Sequence, residues 1–158
     1  HRSENVDNLS SLKNIFEGLG LVYKKFNKEI IYPMHPRTKG KMGSIEIPKG
    51  IKIIDPLGFY DFNCLSKNAF CLIADSGTTP EEGLFYKVPC VSIRKSSERY
   101  ETLEAGAHVV AGLNPINIAE SVESVIGMEW GARYDLCEDF SPSTVVINVL
   151  RSQFTHYF

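Results

Sequence analysis

The 158-residue sequence lacks several features that would assign a protein to a class at once. None of its four cysteines forms a Cys-x-x-Cys pair, which favours a reducing compartment over a disulfide framework. It contains no long basic block, so a nucleic-acid partner is not predicted. It also has no signal peptide and no apolar run of membrane length, so we expect a cytoplasmic protein without a membrane partner. The Gly-x-Gly-x-x-Gly motif of ordinary dinucleotide-binding folds is missing as well.

What the chain does contain is the composition of an ordinary soluble globular protein. Its formal net charge is -2 and 43% of its residues are hydrophobic. A chain of this length is large enough to bury a substantial core. We therefore expect residues 1–158 to form a single domain.

Strand-like and helix-like segments alternate along the chain. Short apolar segments predict strands at residues 29–34, 51–54, 70–74, 88–93 and 108–111. Helical spacing predicts helices from residue 9 onward and at 59–67, 80–86, 98–105, 115–126 and 144–154. Residues 36–50 hold so many Pro, Gly and Lys residues that we predict a long loop there. Apolar strands alternating with helices predict an α/β fold with a Rossmann-like, doubly wound parallel sheet.

The most informative segment is the turn at residues 75–79 between a buried strand and a helix. Pro80 fits the first position of that helix, where a missing N–H costs nothing. Uncovered N–H groups at positions 76–78 would favour phosphate at the helix N-terminus. The carboxylates of Glu81 and Glu82 suit sugar hydroxyls instead. The segment therefore predicts a nucleotide site that holds both a diphosphate and a ribose.

Other candidate residues lie in the loops that follow the predicted strands. In an open parallel sheet, ligands bind beyond the carboxyl ends of the strands. Four such loops contain polar candidates, at His35, 55–59, 75–82 and 94–99. We expect these loops to meet at one crevice.

Several candidates also have a purely structural interpretation. Thr79 and Glu82 have the spacing of a capping box, in which Glu82 would cap the helix rather than bind ribose. Arg99 fits the solvated start of a helix as well as a phosphate contact. Phe62 fits a core position as well as a stacking platform, and the lone histidines of the chain can be structural.

A series of motifs runs in order along nearly the whole chain. They are His1-Arg2-Ser3-Glu4-Asn5, Tyr32-Pro33-Met34-His35-Pro36, Ile54-Asp55-Pro56-Leu57, Asp75-Ser76-Gly77 with Glu81-Glu82, Lys87-Val88-Pro89, and Glu98-Arg99 with Glu101. In this series the chain resembles the C-terminal half of the non-hydrolysing UDP-N-acetylglucosamine 2-epimerases. Those enzymes have two Rossmann-like domains, arranged as in GT-B glycosyltransferases.

The resemblance implies a role for each matching position. Ser76 and Gly77 would hold the diphosphate, with charge supplied nearby by His1 and Arg99. Glu82 would accept hydrogen bonds from the ribose, and a pocket at Phe62 and the backbone of 57–59 would hold uracil. The implied site residues are His1 as a catalytic group and, for substrate binding, His35, Leu57, Phe59, Phe62, Ser76, Gly77, Glu82 and Arg99. No metal and no cofactor is predicted.

The resemblance also implies the reaction. Enzymes of this family remove the C2 proton of a UDP-N-acetyl-hexosamine, expel UDP to give a glycal, and add UDP back with the proton on the opposite face. Fixed N–H donors and cations would stabilise the negative charge that builds on the leaving diphosphate. The proton-moving carboxylates belong to an N-terminal domain that this chain lacks. We therefore expect a homodimer of the full-length enzyme to be active, and the isolated chain to bind UDP weakly without turnover.

More specific and more distant alternatives stay open. Gly77-Thr78, Pro36-Arg37-Thr38 and Tyr100 depart from the commoner family pattern and resemble the capsule and O-antigen branch. That branch makes UDP-N-acetyl-L-fucosamine from the L-talo sugar. The chain could instead be the nucleotide-binding half of a GT-B glycosyltransferase, or a UDP-sugar-binding module without chemistry.

Overall fold

The computed structural model describes residues 2–43, 45–128 and 142–154. Its helices are α1 (Ser3–Val6), α2 (Leu9–Phe26), α3 (Pro36–Lys41), α4 (Phe59–Lys67), α5 (Thr79–Tyr86), α6 (Tyr100–Glu104), α7 (Pro115–Ile126) and α8 (Pro142–Phe154). Its strands are β1 (Ile30–Pro33), β2 (Ile51–Ile54), β3 (Leu72–Ala74), β4 (Cys90–Ser92) and β5 (His108–Val110). Helices and strands alternate as the sequence predicts.

The strands pair in parallel, in two hydrogen-bonded groups. β1 pairs with β2, and β4 pairs with β3 on one side and β5 on the other. A cavity of about 770 Å³ is lined by residues of both β1 and β3, the facing members of the two groups. The parallel strands with their covering helices confirm the predicted Rossmann-like α/β class.

The main core lies where α2 and α7 pack against each other and against β4. Its fully or nearly fully buried side chains include Ile15, Leu19, Val22, Val91, Ile118, Val122 and Val125. The two helices approach closely at Gly18, where an added Cβ would lie 2.8 Å from Ile118 Cδ1. The Asn8 side chain starts α2 by accepting hydrogen bonds from the amides of Ser10 and Ser11. This core fixes the strands whose carboxyl ends carry the candidate residues.

The prediction of a long loop over residues 36–50 is wrong for the first six residues, which form α3. Pro36 takes the first position of this helix, where its missing N–H is harmless. His35 precedes it, and its Nδ1 accepts a hydrogen bond of 3.1 Å from the Arg37 amide. The proline that suggested a loop is therefore a helix start signal.

The described helices include none that is both long enough and apolar enough to cross a bilayer. The longest, α2, has 18 residues and carries charged side chains along its exposed face.

Candidate functional site

The cavity between the two strand groups is lined by β1, by β3 and by residues that follow the carboxyl ends of both strands. From the carboxyl end of β1 the chain continues to β2 on one side of the cavity, and from that of β3 it continues to β4 on the other side. Open α/β sheets bind ligands at such a switch point. Polar or aromatic residues around this end of the cavity are His35 and Thr38 after β1, Asp75, Ser76 and Thr78 after β3, Phe62 on α4, and Glu82 on α5. Most of the remaining lining is apolar and comes from α2, β1 and β3.

The turn after β3 is held by the start of the chain. The Asp75 carboxylate accepts a hydrogen bond of 2.8 Å from the Arg2 amide and one of 3.2 Å from Asn5 Nδ2. The same Asn5 nitrogen donates to the Ile93 carbonyl at 3.1 Å. Asn5 is buried, so α1 ties together the ends of β3 and β4. These bonds fix the backbone that leads into Ser76.

Ser76 organises the turn itself. Its hydroxyl lies 3.1 Å from the Thr78 hydroxyl and accepts a hydrogen bond of 3.3 Å from the Thr78 amide. The prediction that the Thr78 amide is uncovered is therefore wrong. The amides of Ser76 and Gly77 are the ones that this turn leaves to a ligand.

Arginine side chains surround Gly77. A Cβ added to this glycine would lie 3.6 Å from Arg2 Nη2 and 3.8 Å from Arg94 Nη1. Arg99 reaches it from the other direction, since its Nε donates to the Gly77 carbonyl at 3.2 Å. Guanidinium groups at this distance make the turn a site for an anion.

The two carboxylates of α5, Glu81 and Glu82, contact different parts of the site. Glu81 forms an ion pair of 3.2 Å with Arg99, while Glu82 lines the cavity. The predicted capping box is wrong, because Thr78 and not Thr79 is the N-cap and makes no side-chain cap bond. Glu82 then stands at the fourth helical position, one residue beyond the position that a capping box uses.

The structure brings some of the predicted site residues together and leaves others apart. His35, Phe62, Ser76 and Glu82 all line the cavity, and Gly77 and Arg99 contact each other beside it. Leu57 and Phe59 do not line it, and Phe59 is 76% exposed. His1 lies outside the described residues.

Arg2, Asn5 and Arg94 are functional candidates to which the sequence analysis gave no role. Arg2 and Asn5 belong to the motif His1-Arg2-Ser3-Glu4-Asn5, and this motif could have indicated their place near the turn. For Arg94 the only indication in the sequence was its position in a loop that follows a predicted strand. Its close approach to Gly77 depends on the pairing of β3 with β4, which is a long-range contact.

Neither the cysteines Cys71 and Cys90 nor possible metal ligands among the described residues offer further chemistry. Burial raises the pKa of the Cys71 thiol to about 12 and raises that of Cys90 as well. Both are free thiols, and at neutral pH they stay protonated and unreactive. Among the described residues, no group of three His, Cys, Asp or Glu side chains could hold a metal ion.

Comparison with known proteins shows the family to which this sequence belongs. A sequence profile of the family described as UDP-N-acetylglucosamine 2-epimerase matches residues 1–139. This chain belongs to that family. The match favours an epimerase over a glycosyltransferase.

Individual relatives agree with the family assignment. The UDP-N-acetylglucosamine 2-epimerase of Methanocaldococcus jannaschii is 41% identical over 132 residues, covering 80% of this chain and 36% of the relative. That of Methanococcus maripaludis is 35% identical over 158 residues, covering 95% and 42%. A crystal structure of the M. jannaschii enzyme in complex with UDP-GlcNAc and UDP superposes with a TM-score of 0.81 at 35% identity, covering 96% of this chain and 43% of that one. The chain thus spans less than half the length of these epimerases.

Proposed function

We propose that residues 1–158 form the UDP-binding domain of a non-hydrolysing UDP-N-acetylglucosamine 2-epimerase. The observation that carries this proposal is that Ser76, Glu82 and Phe62 line one crevice at the strand switch point, beside arginines around Gly77. These are the group types that a diphosphate, a ribose and a base require. The relative solved with UDP-GlcNAc and UDP supports the same ligand class.

In the proposed complex, each part of UDP meets a different part of the crevice. The diphosphate lies at the Ser76–Gly77 turn, where amides and guanidinium groups oppose its charge. The ribose hydroxyls donate to the Glu82 carboxylate, and the base lies towards Phe62. His35 borders the same cavity from the β1 side and contacts substrate.

The chemistry that this domain supports is departure and return of UDP. Loss of the sugar C2 proton and cleavage of the bond to UDP give a glycal, and re-addition of UDP together with a proton on the opposite face of C2 gives the epimer. Negative charge grows on the diphosphate during cleavage, so prearranged donors at the turn lower the barrier. A second domain supplies the acid and base groups, and His1 contributes charge that stabilises the leaving diphosphate.

The sugar itself is a UDP-N-acetyl-hexosamine. The departures at Pro36-Arg37-Thr38, Gly77-Thr78 and Tyr100 keep UDP-N-acetyl-L-fucosamine synthesis, from the L-talo sugar, as the more specific alternative. Incubation of the two-domain enzyme with both UDP-sugars, followed by NMR of the products, distinguishes them. We expect the intact enzyme to act as a homodimer.

Replacing Glu82 with alanine tests the ribose contact. Loss of a hydrogen bond to a charged group costs about 1.5–3 kcal/mol. Because Glu82 is only partly buried, we expect the lower end of this range, so that UDP binds the variant about tenfold more weakly. The measurement is calorimetric titration of the 158-residue chain with UDP and with 2′-deoxy-UDP. The wild-type chain should prefer UDP, and Glu82→Ala should remove that preference.

The matched control is Glu81→Ala, which removes the neighbouring carboxylate. It should keep the preference for UDP over 2′-deoxy-UDP, because Glu81 forms an ion pair with Arg99 and does not line the cavity. Loss of the preference in Glu81→Ala alone would show that Glu81 binds the ribose. A lower melting temperature of Glu82→Ala with an unchanged preference would instead assign Glu82 a structural role.

A further inference from the structure

The carboxylate of Glu98 lies in the space that the missing side chain of Gly77 leaves open. A Cβ added to Gly77 would be 3.1 Å from Glu98 Oε1, nearer than any arginine nitrogen. Both Glu98 oxygens contact Arg94 Nη1, at 3.3 Å and 3.2 Å. An anionic group of the protein itself therefore stands at the turn that we assign to the diphosphate.

The two members of this ion pair differ in how firmly they are held. The Arg94 side chain is 13% exposed, whereas that of Glu98 is 55% exposed. Hydrogen bonds from its own amide and from Arg94 lower the pKa of the Glu98 carboxyl, so it is ionised at neutral pH. Arg94 is thus a fixed cation, and Glu98 is a charged group that can rotate into solvent.

Arg94 also keeps an unused donor. Its Nε is buried and has no hydrogen-bond partner, although a guanidinium can donate from several nitrogens at once. A buried donor without an acceptor is costly. A phosphate offers more acceptor oxygens than the carboxylate and a larger charge, so it can use this donor as well.

We propose that Glu98 occupies a phosphate subsite formed by Arg94, Arg2 and the Gly77 turn, and must leave it when a diphosphate binds. This inference rests on the proposed function, because it assigns the subsite to the diphosphate of the same ligand. It makes Arg94 a phosphate-binding residue. It also makes Glu98 an internal competitor that weakens binding of the nucleotide.

The test uses inorganic pyrophosphate, UDP and uridine as probes in calorimetric titrations of the 158-residue chain. Glu98→Gln keeps the side-chain volume and removes the competing charge. We expect it to bind pyrophosphate and UDP about three- to fivefold more tightly, and uridine unchanged, since the gain comes from one exposed charge contact. Glu120→Gln is the matched control, since it removes an exposed carboxylate on α7, and it should change pyrophosphate affinity less than twofold.

Two results would overturn this inference: equal or weaker pyrophosphate binding by Glu98→Gln, or an equal gain in Glu120→Gln, which would indicate net charge alone. The Arg94 Nε–H signal in a ¹H–¹⁵N spectrum of the wild-type chain gives a second readout that needs no variant. It should shift on addition of pyrophosphate, and a signal that stays in place while pyrophosphate binds would contradict the subsite. Gain of pyrophosphate binding without any UDP binding would support the subsite and refute the proposed function.

Discussion

Replacing Arg99 with methionine should lower the proposed affinity of this chain for UDP by about ten- to a hundredfold, because charge-assisted hydrogen bonds contribute about 1.5–3 kcal/mol. Arg99 Nε donates to the Gly77 carbonyl at 3.2 Å, and Nη1 lies 3.2 Å from a Glu81 oxygen. The guanidinium group of Arg99 therefore lies against the turn that we assign to the diphosphate. Methionine removes the charge, the phosphate contact and the support of the Gly77 backbone together.

Calorimetric titration with UDP measures this effect, and two further variants interpret it. Arg99→Lys keeps the charge but loses the planar fork of donors. Its affinity for UDP should therefore lie between those of the wild type and of Arg99→Met. Lys25→Met removes a surface cation that pairs with Glu123, far from Gly77, and should bind UDP like the wild type. Unchanged UDP affinity in Arg99→Met would remove Arg99 from the site.

Acidification destabilises the fold through His108. This residue is 2% exposed. Its Nδ1 lies 2.9 Å from Thr102 Oγ1, and its Nε2 lies 2.6 Å from Ser92 Oγ. Burial lowers its pKa to about 4 from the ordinary value of 6.5. The folded protein therefore keeps a neutral imidazole in a pH range in which the unfolded chain binds a proton.

The sign of the effect follows from this difference. Protonation favours the unfolded chain between about pH 6.5 and pH 4, so the stability is complete above pH 6.5 and is lost as pH falls to about 4. A shift of this size corresponds to about 3 kcal/mol at the acid end. Urea unfolding at a series of pH values measures it.

The control is a variant that cannot titrate at this position. His108→Gln keeps a neutral polar side chain between Ser92 and Thr102, although it lowers stability at every pH. Between pH 6.5 and pH 4 its free energy of unfolding should depend less steeply on pH than that of the wild type. The difference in slope should correspond to about one proton fewer taken up on unfolding. An equal slope in both proteins would show that other groups cause the acid sensitivity.

Local sequence signals were enough to predict most of the fold. α4 and α7 have the predicted bounds, since Phe59–Lys67 and Pro115–Ile126 both show helical spacing. α7 also has a clear start signal, because the Asn114 cap precedes Pro115. α3 was missed because Pro36 and Gly40 count as breakers in a local analysis. Whether Pro36 ends a segment or starts one depends on the cap that His35 supplies.

In the candidate site, too, some residues could be predicted from their neighbours in sequence, while others are positioned by long-range contacts. Ser76 and Glu82 could be predicted because a strand, a turn and a helix N-terminus follow one another within a few residues. The role of Glu82 as cap or ligand could not, since it depends on where α5 begins. The approach of Arg94 and Glu98 to Gly77 could not be predicted either, because it follows from the pairing of β3 with β4.

A UDP titration of the ¹⁵N-labelled chain, followed by ¹H–¹⁵N NMR, tests most directly whether this crevice binds the nucleotide. We expect saturable shifts of the Ser76 and Gly77 amides, the Arg99 Nε–H and the amides around Phe62, with α8 unaffected. Uridine should shift the signals around Phe62 and leave those of Gly77 and Arg99 in place. No saturable shift with UDP, or shifts confined to residues away from the cavity, would contradict the assignment of this crevice to UDP.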